Sequence, residues 1–174
     1  MTDIAISPCS LTDIQQLQSI AIRSYDDHYT YLWHDAGAWY KERCFSEEAL
    51  RSELEDPNAA FFLISYQDVT VGFLKLNIDK ALDGYTAQEC LELERLYLVH
   101  EAAGIGIGKW AVEFTVQYAL EKGKRIVWLK AMDSSRSVDF YERNGFVKCG
   151  TYELDFEKMK EMYRGMHVLK RELA

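Results

Sequence analysis

A chain of 174 residues with 48% hydrophobic and 28% charged residues is the size of one domain with a real core, and is too apolar to be disordered. Its net charge of −8 argues against a phosphate-backbone binder, so no nucleic-acid partner is expected. Four cysteines without a C-x-x-C pair and four histidines without metal spacing predict free thiols and no metal. With no basic-then-apolar leader and no run of about 18 apolar residues, a cytoplasmic protein without a membrane partner is expected.

In chain order, "DIAISPC" reads as a first strand. "SLTDIQQLQSIAIRSYDDHY" follows as a helix, with Leu11, Ile14, Leu17 and Ala21 at helical spacing behind a Ser10 or Thr12 cap. "SEEALRSELEDPN" reads as a second helix, started by Ser46 and ended by Pro57. "AAFFLISYQDVTVGFLKLNID" holds two strands around a Gln67-Asp68 turn, and "CLELERLYLV" is a third in which Glu92, Glu94, Leu96 and Leu98 are expected on one face. After a glycine cluster, Ile107, Ala111, Phe114 and Tyr118 mark a helix packed on the sheet. "RIVWLKAM" is an apolar strand of the kind buried on both faces, and "SSRSVDFYERNGF" is a short helix closed by Gly145. "VKCGTYELDF" and "MHVLKRELA" are two last strands. The expected order is β-α-α-β-β-β-α-β-α-β-β, a single α/β (α+β) domain over residues 1–174. Its sheet is mixed and mostly antiparallel, with about seven strands flanked by helices.

The cluster "GIGIGKW", residues 104 to 110, has too much bare backbone for an element interior. A Walker A loop needs glycine at Ala103 and Ser or Thr at Trp110, and a G-x-G-x-x-G fingerprint needs glycine at Lys109, so both fail. What survives is G-x-G-x-G opening a helix, which points N–H groups at an anion, or an ordinary glycine-rich turn.

The order of elements, "LELERLYLV", "HEAAGIGIG" and "DFYERNGF" together resemble the GNAT superfamily of N-acetyltransferases over essentially the whole chain. That family's pyrophosphate loop, Q/R-x-x-G-x-G/A, is met by the glycines of Ala103-Gly104-Ile105-Gly106-Ile107-Gly108, with Ala103 in place of Gln or Arg. Its second motif is met by Phe140-Tyr141 and Gly145-Phe146, with Ser134 in place of Asn. "FFLISYQDVTVGFLKLNID", "LELERLYL" and "IVWLKAM" further resemble the PaiA-like branch, which acetylates spermidine and spermine.

The resemblance implies acetyl-CoA as cosubstrate. Residues 103–109, Lys109 included, would hold its pyrophosphate, and the backbone of Leu96, Tyr97 and Leu98 would pair with its pantetheine arm. It implies Tyr141 as the group that meets the leaving sulfur: a phenol with pKa about 10 stays protonated where a thiol of about 8.5 leaves. An ammonium acceptor must lose a proton, for which Glu92 and Glu94 are candidates. The aromatic and acidic stretch "YDDHYTYLWHDAGAWY" nominates Asp26, Asp27, Tyr29, Trp33 and Asp35 for a polyamine acceptor, through cation–π contacts and ion pairs. Another amine (amino acid, aminoglycoside or protein N-terminus) and a non-catalytic acyl-CoA-binding module stay open as alternatives. A homodimer is also left open.

Overall fold

The computed structural model describes residues 3–174. Seven strands form one sheet in the order β1-β2-β3-β4-β5-β7-β6: β1 Ile4–Pro8, β2 Ala59–Tyr66, β3 Val69–Asn77, β4 Cys90–Leu98, β5 Ile126–Met132, β6 Val147–Glu153 and β7 Gly165–Glu172. Every pairing is antiparallel except β4 with β5. The β2–β3 hairpin turns on Gln67 (φ 50°) and Asp68 (φ 63°), as the sequence suggests. This left-handed pair matches the strand twist.

Three helices separate β1 from β2, one more than the sequence reading: α1 Ile14–His28, α2 Ala38–Phe45 and α3 Glu47–Glu55. The additional α2 starts at Asp35, whose carboxylate accepts from the Gly37 N–H (3.0 Å) and the Trp39 N–H (2.8 Å), while Gly37 takes φ 88°. An aromatic run without an aliphatic stripe hid this helix. Ser46 starts α3 as expected, accepting from the Ala49 N–H. These helices cover the sheet face that carries Phe73 and Tyr97, where Phe45 meets both rings.

The helix α4, Ile107–Glu121, covers the other face; Phe114 and Tyr118 lie against Phe62. Its buried stripe is Ile107, Ala111, Val112, Thr115, Val116 and Ala119, so Phe114 and Tyr118 flank the stripe instead of centring it. The short α5, Ser137–Arg143, lies beside the start of α4 and ends at Gly145 (φ 89°).

Two irregularities in β4 place the site. The β3–β4 register pairs Leu76 with Leu93 and Lys75 with Arg95, so Glu94 is an extra residue, a β-bulge. The bulge flips the alternation: Glu92, Arg95 and Tyr97 fall opposite Asn77, Lys75 and Phe73, while Leu96 and Leu98 fall opposite Leu74 and Gly72. Glu92 and Glu94 thus share a face, but Leu96 and Leu98 occupy the other, a correction to the period-two reading. The second irregularity is that β4 pairs with β5 only from Cys90–Ile126 to Glu92–Trp128, after which the strands part.

Close packing of β3 on β4 depends on Gly72, where a Cβ would lie 2.3 Å from the Tyr97 carbonyl oxygen and 2.6 Å from Leu98 Cδ2. Gly72→Ala is expected to cost about 1–3 kcal/mol by overpacking, measured by urea denaturation. A wild-type midpoint would mean that the two strands part freely.

Candidate active site

A cavity of about 400 Å³ opens where β4 and β5 separate. Its floor is β4 from Glu92 to Tyr97 and β5 from Lys130 to Met132; Tyr141 and Ser137 of α5 close one side. On the other side stand Tyr25, Tyr29, Trp33 and Tyr40 from the α1–α2 region, with Phe156 and Met159 from the β6–β7 connection. The four tyrosine and tryptophan positions all lie in the aromatic stretch that the sequence put on the acceptor side, though only Tyr29 and Trp33 were nominated individually; Phe156 drew no notice.

Glu92 is 5% exposed and accepts from Asn77 Nδ2 at 2.8 Å. Burial raises its pKa above the usual carboxylate range, with the neighbouring Glu94 charge adding to the rise; the Asn77 hydrogen bond and the charges of Lys130 and Lys80 only partly offset this. Glu94 has the opposite fate. Burial pushes it up, but Arg95 and Lys75 outweigh that and hold it below its ordinary value. Its carboxylate lies 3.0 Å from Lys75 Nζ and 3.4 Å from Arg95 Nε, and it also accepts from Asn77 at 3.0 Å. Lys75 and Arg95 are themselves buried and both reach Glu53 of α3. Glu94 is therefore an anchored ion-pair partner, whereas Glu92 is a buried carboxylate in no ion pair among the described residues, whose raised pKa favours the protonated form.

Tyr141 lines the cavity with its ring between Phe140 and Phe146. Burial pushes its phenol pKa upward, so the hydroxyl is a proton donor at any physiological pH. Every fully buried polar side-chain atom among the described residues has a partner, and no protein group engages the Tyr141 hydroxyl, so its oxygen opens on the cavity.

The Val99 N–H donates to the Val71 carbonyl (2.8 Å). By strand alternation the Tyr97 peptide also points at β3, and those of Leu96 and Leu98 point into the gap toward β5. Tyr97 is accordingly corrected from backbone contact to wall: its ring packs on Tyr25, Tyr29, Phe45 and Phe73. His28, which the sequence did not nominate, donates from Nε2 to the Leu98 carbonyl at 2.8 Å and ties α1 to this edge.

Beyond Leu98, residues 103–109 form the glycine loop. Gly104 (φ 79°) and Gly106 (φ 91°) take left-handed conformations that other residues rarely adopt. The first bond of α4 runs from the Trp110 N–H to the Gly106 carbonyl, so the N–H groups of Ile107, Gly108 and Lys109 have no intrahelical partner. Ile107 contributes only its N–H, since its side chain is fully buried; Ala103, Ile105 and Lys109 are exposed. At Gly108 a Cβ would stand 3.0 Å from the Phe140 ring, which couples the loop to the helix that carries Tyr141. Ser134 is exposed, 3.4 Å from the Tyr31 hydroxyl, and is not part of the cavity lining.

Of the five acceptor-side nominations, Tyr29 and Trp33 line the cavity. The three aspartates do not. Asp26 pairs with Lys41 (2.7 Å), Asp27 accepts from the His100 N–H (2.9 Å), and Asp35 starts α2. Short acidic side chains next to helix ends satisfied local backbone donors and a neighbouring lysine.

The family model that matches the chain is that of the Acetyltransferase (GNAT) family, over residues 16–146. The chain belongs to that family. It is an N-acetyltransferase by membership, and the departures at Ala103 and Ser134 do not take it out of the enzyme class. An uncharacterised N-acetyltransferase of Lactobacillus delbrueckii subsp. lactis is 26% identical over 153 residues, covering 85% of this chain and 87% of the relative. The PaiA N-acetyltransferase of Thermoplasma acidophilum, solved in complex with coenzyme A, is 22% identical with a TM-score of 0.76, covering 98% of this chain and 99% of that one. A chimera of the spermidine N-acetyltransferase SpeG from Vibrio cholerae is 14% identical with a TM-score of 0.71, covering 98% and 95%. At these identities the two solved structures speak to the GNAT fold and not to the acceptor.

Proposed function

We propose that this GNAT enzyme transfers the acetyl group of acetyl-CoA directly to a primary amine. The observation that carries the reading is that one cavity is lined by Glu92, Leu96 and Tyr141, and that its β4 edge leads to the glycine loop. The residues fit the cosubstrate: the loop offers free N–H donors and the positive end of α4 to a pyrophosphate. Leu96 and the Leu98 N–H offer the part of the strand edge that an amide-bearing arm can add to, the Leu98 carbonyl being held by His28. Glu92 takes the ammonium proton. The amine nitrogen then bonds to the acetyl carbon, an N–H of the bulged β4 edge receives the carbonyl oxygen, and the C–S bond breaks as Tyr141 protonates the thiolate; the second proton, which the nitrogen sheds on becoming an amide, restores the phenol.

A polyamine is the acceptor class that the sequence suggested, and spermidine acetylation is what one structural neighbour is named for. Here its support rests on the aromatic wall and Glu92, since Glu94 is held by Lys75 and Arg95, and Asp26, Asp27 and Asp35 are engaged elsewhere. The test is release of coenzyme A thiol from acetyl-CoA with a panel of amines, the N-acetylated product being identified by mass. Turnover that needs an amine supports the reading; bound coenzyme A with no turnover of any amine would refute it.

Tyr141→Phe removes the proton donor and leaves the ring packing in place. Its kcat is expected to fall about 10- to 1,000-fold with little change in coenzyme A affinity. A wild-type kcat would return Tyr141 to a packing role.

A further inference from the structure

The charges lining the cavity are unlike those of a polycation site. Glu92, Glu94, Lys80, Arg95 and Lys130 line it. Glu94 and Arg95 are paired with each other and with Lys75 and Glu53. That leaves one carboxylate, Glu92, in a cavity it shares with two lysines whose charges act on it, and neither Lys80 nor Lys130 is in an ion pair among the described residues. Lys130 instead rests on aromatic faces, its Nζ 4.0 Å from the Tyr152 ring centroid and 5.9 Å from that of Trp128. Trp128 is the β5 partner of Glu92, and Lys130 follows two residues later on the same strand face, roughly 7 Å along.

We propose that the acceptor is an amine that carries its own carboxylate, as a free amino acid does, and that Lys130, with Lys80, receives this carboxylate while the amine is presented to Glu92. The inference rests on the acetyl-transfer reading above. A zwitterion matches one negative and two positive groups, whereas every further ammonium of a polyamine meets a lysine of like charge. Trp33, Tyr40 and Phe156 on the far wall suit an apolar side chain attached between the two ends. The product keeps its carboxylate and loses only the amine's charge.

Matched acceptors test this: L-phenylalanine against phenethylamine, and L-leucine against isoamylamine, with spermidine alongside. Each is assayed with the wild type, Lys130→Met and Lys130→Arg. Comparing wild type with variant for each acceptor cancels differences in amine basicity. Lys130→Met is expected to raise KM for the carboxylate-bearing members about tenfold more than for their decarboxylated partners, any effect through Glu92 being common to both, with Lys130→Arg restoring most of the difference. A rise shared equally by both members of a pair, or spermidine preferred over every carboxylate-bearing amine by the wild type, would overturn the inference and leave acetyl transfer standing. Failure of all amines to turn over would remove both.

Discussion

Glu92→Gln is expected to lower kcat/KM about 10²- to 10⁴-fold, the range that a positioned general base contributes. The acidic limb of the wild-type pH profile should lie above the ordinary carboxylate range, because burial raises the Glu92 pKa, and the variant should lose that limb. Stability should move the other way. A carboxylate whose folded pKa exceeds its unfolded value contributes stability below the unfolded pKa, and that contribution is lost as pH rises through the folded one. Once ionised, Glu92 is a buried charge that the fold tolerates at a cost, and glutamine, which still accepts from Asn77, relieves it. Denaturation at pH 4 and pH 8 checks this: the variant should gain relative to wild type as pH rises. An active variant, or one whose relative stability ignores pH, would show that Glu92 is an ordinary structural carboxylate.

Gly106→Val is expected to weaken coenzyme A binding about 10²- to 10³-fold, the loss of two hydrogen bonds to a charged group. Gly106 sits at φ 91°, ψ 0°, immediately before α4, a conformation that a β-branched residue does not hold. No protein atom lies within 4 Å of where its Cβ would be, so the side chain would not disturb the core. The loss would come from turning the loop's N–H groups away and from filling the space left for the anion. Calorimetry on a variant with an unchanged melting temperature reads it. Wild-type affinity there would take the loop out of the binding site.

Much of the fold was written in local pattern. The Gln67-Asp68 turn, the Ser46 start of α3, the Gly145 stop of α5 and the apolar β5 each depend on residues adjacent in sequence, and each is found in place. The bulge at Glu94 was not legible, because a bulge is set by how β3 and β4 register and not by either strand alone. That one residue reassigned Leu96 and Leu98 to the opposite face and separated the roles of two glutamates that the sequence offered as candidate bases, with Glu92 favoured by its distance from Leu96. The acceptor side failed for a related reason. Asp26, Asp27 and Asp35 sit in an aromatic stretch that does build the cavity, yet each carboxylate is spent on a nearby donor. Lys130 drew no notice in an apolar strand, since only the parting of β4 from β5 exposes it to the cavity.

Direct transfer is the central claim, and the cavity contains a thiol that offers the competing route. Cys44 lines it, but burial raises the thiol's pKa and the opposing pull of Arg95 does not cancel the rise, so it stays protonated and weakly nucleophilic. The decisive measurement is the intact mass of the enzyme, quenched after mixing with acetyl-CoA alone and again after adding an amine. Direct transfer predicts an unmodified protein in both samples, with acetylated amine and free coenzyme A thiol formed one for one in the second. A stoichiometric acetyl adduct on the protein, formed without amine and discharged when amine is added, would contradict it.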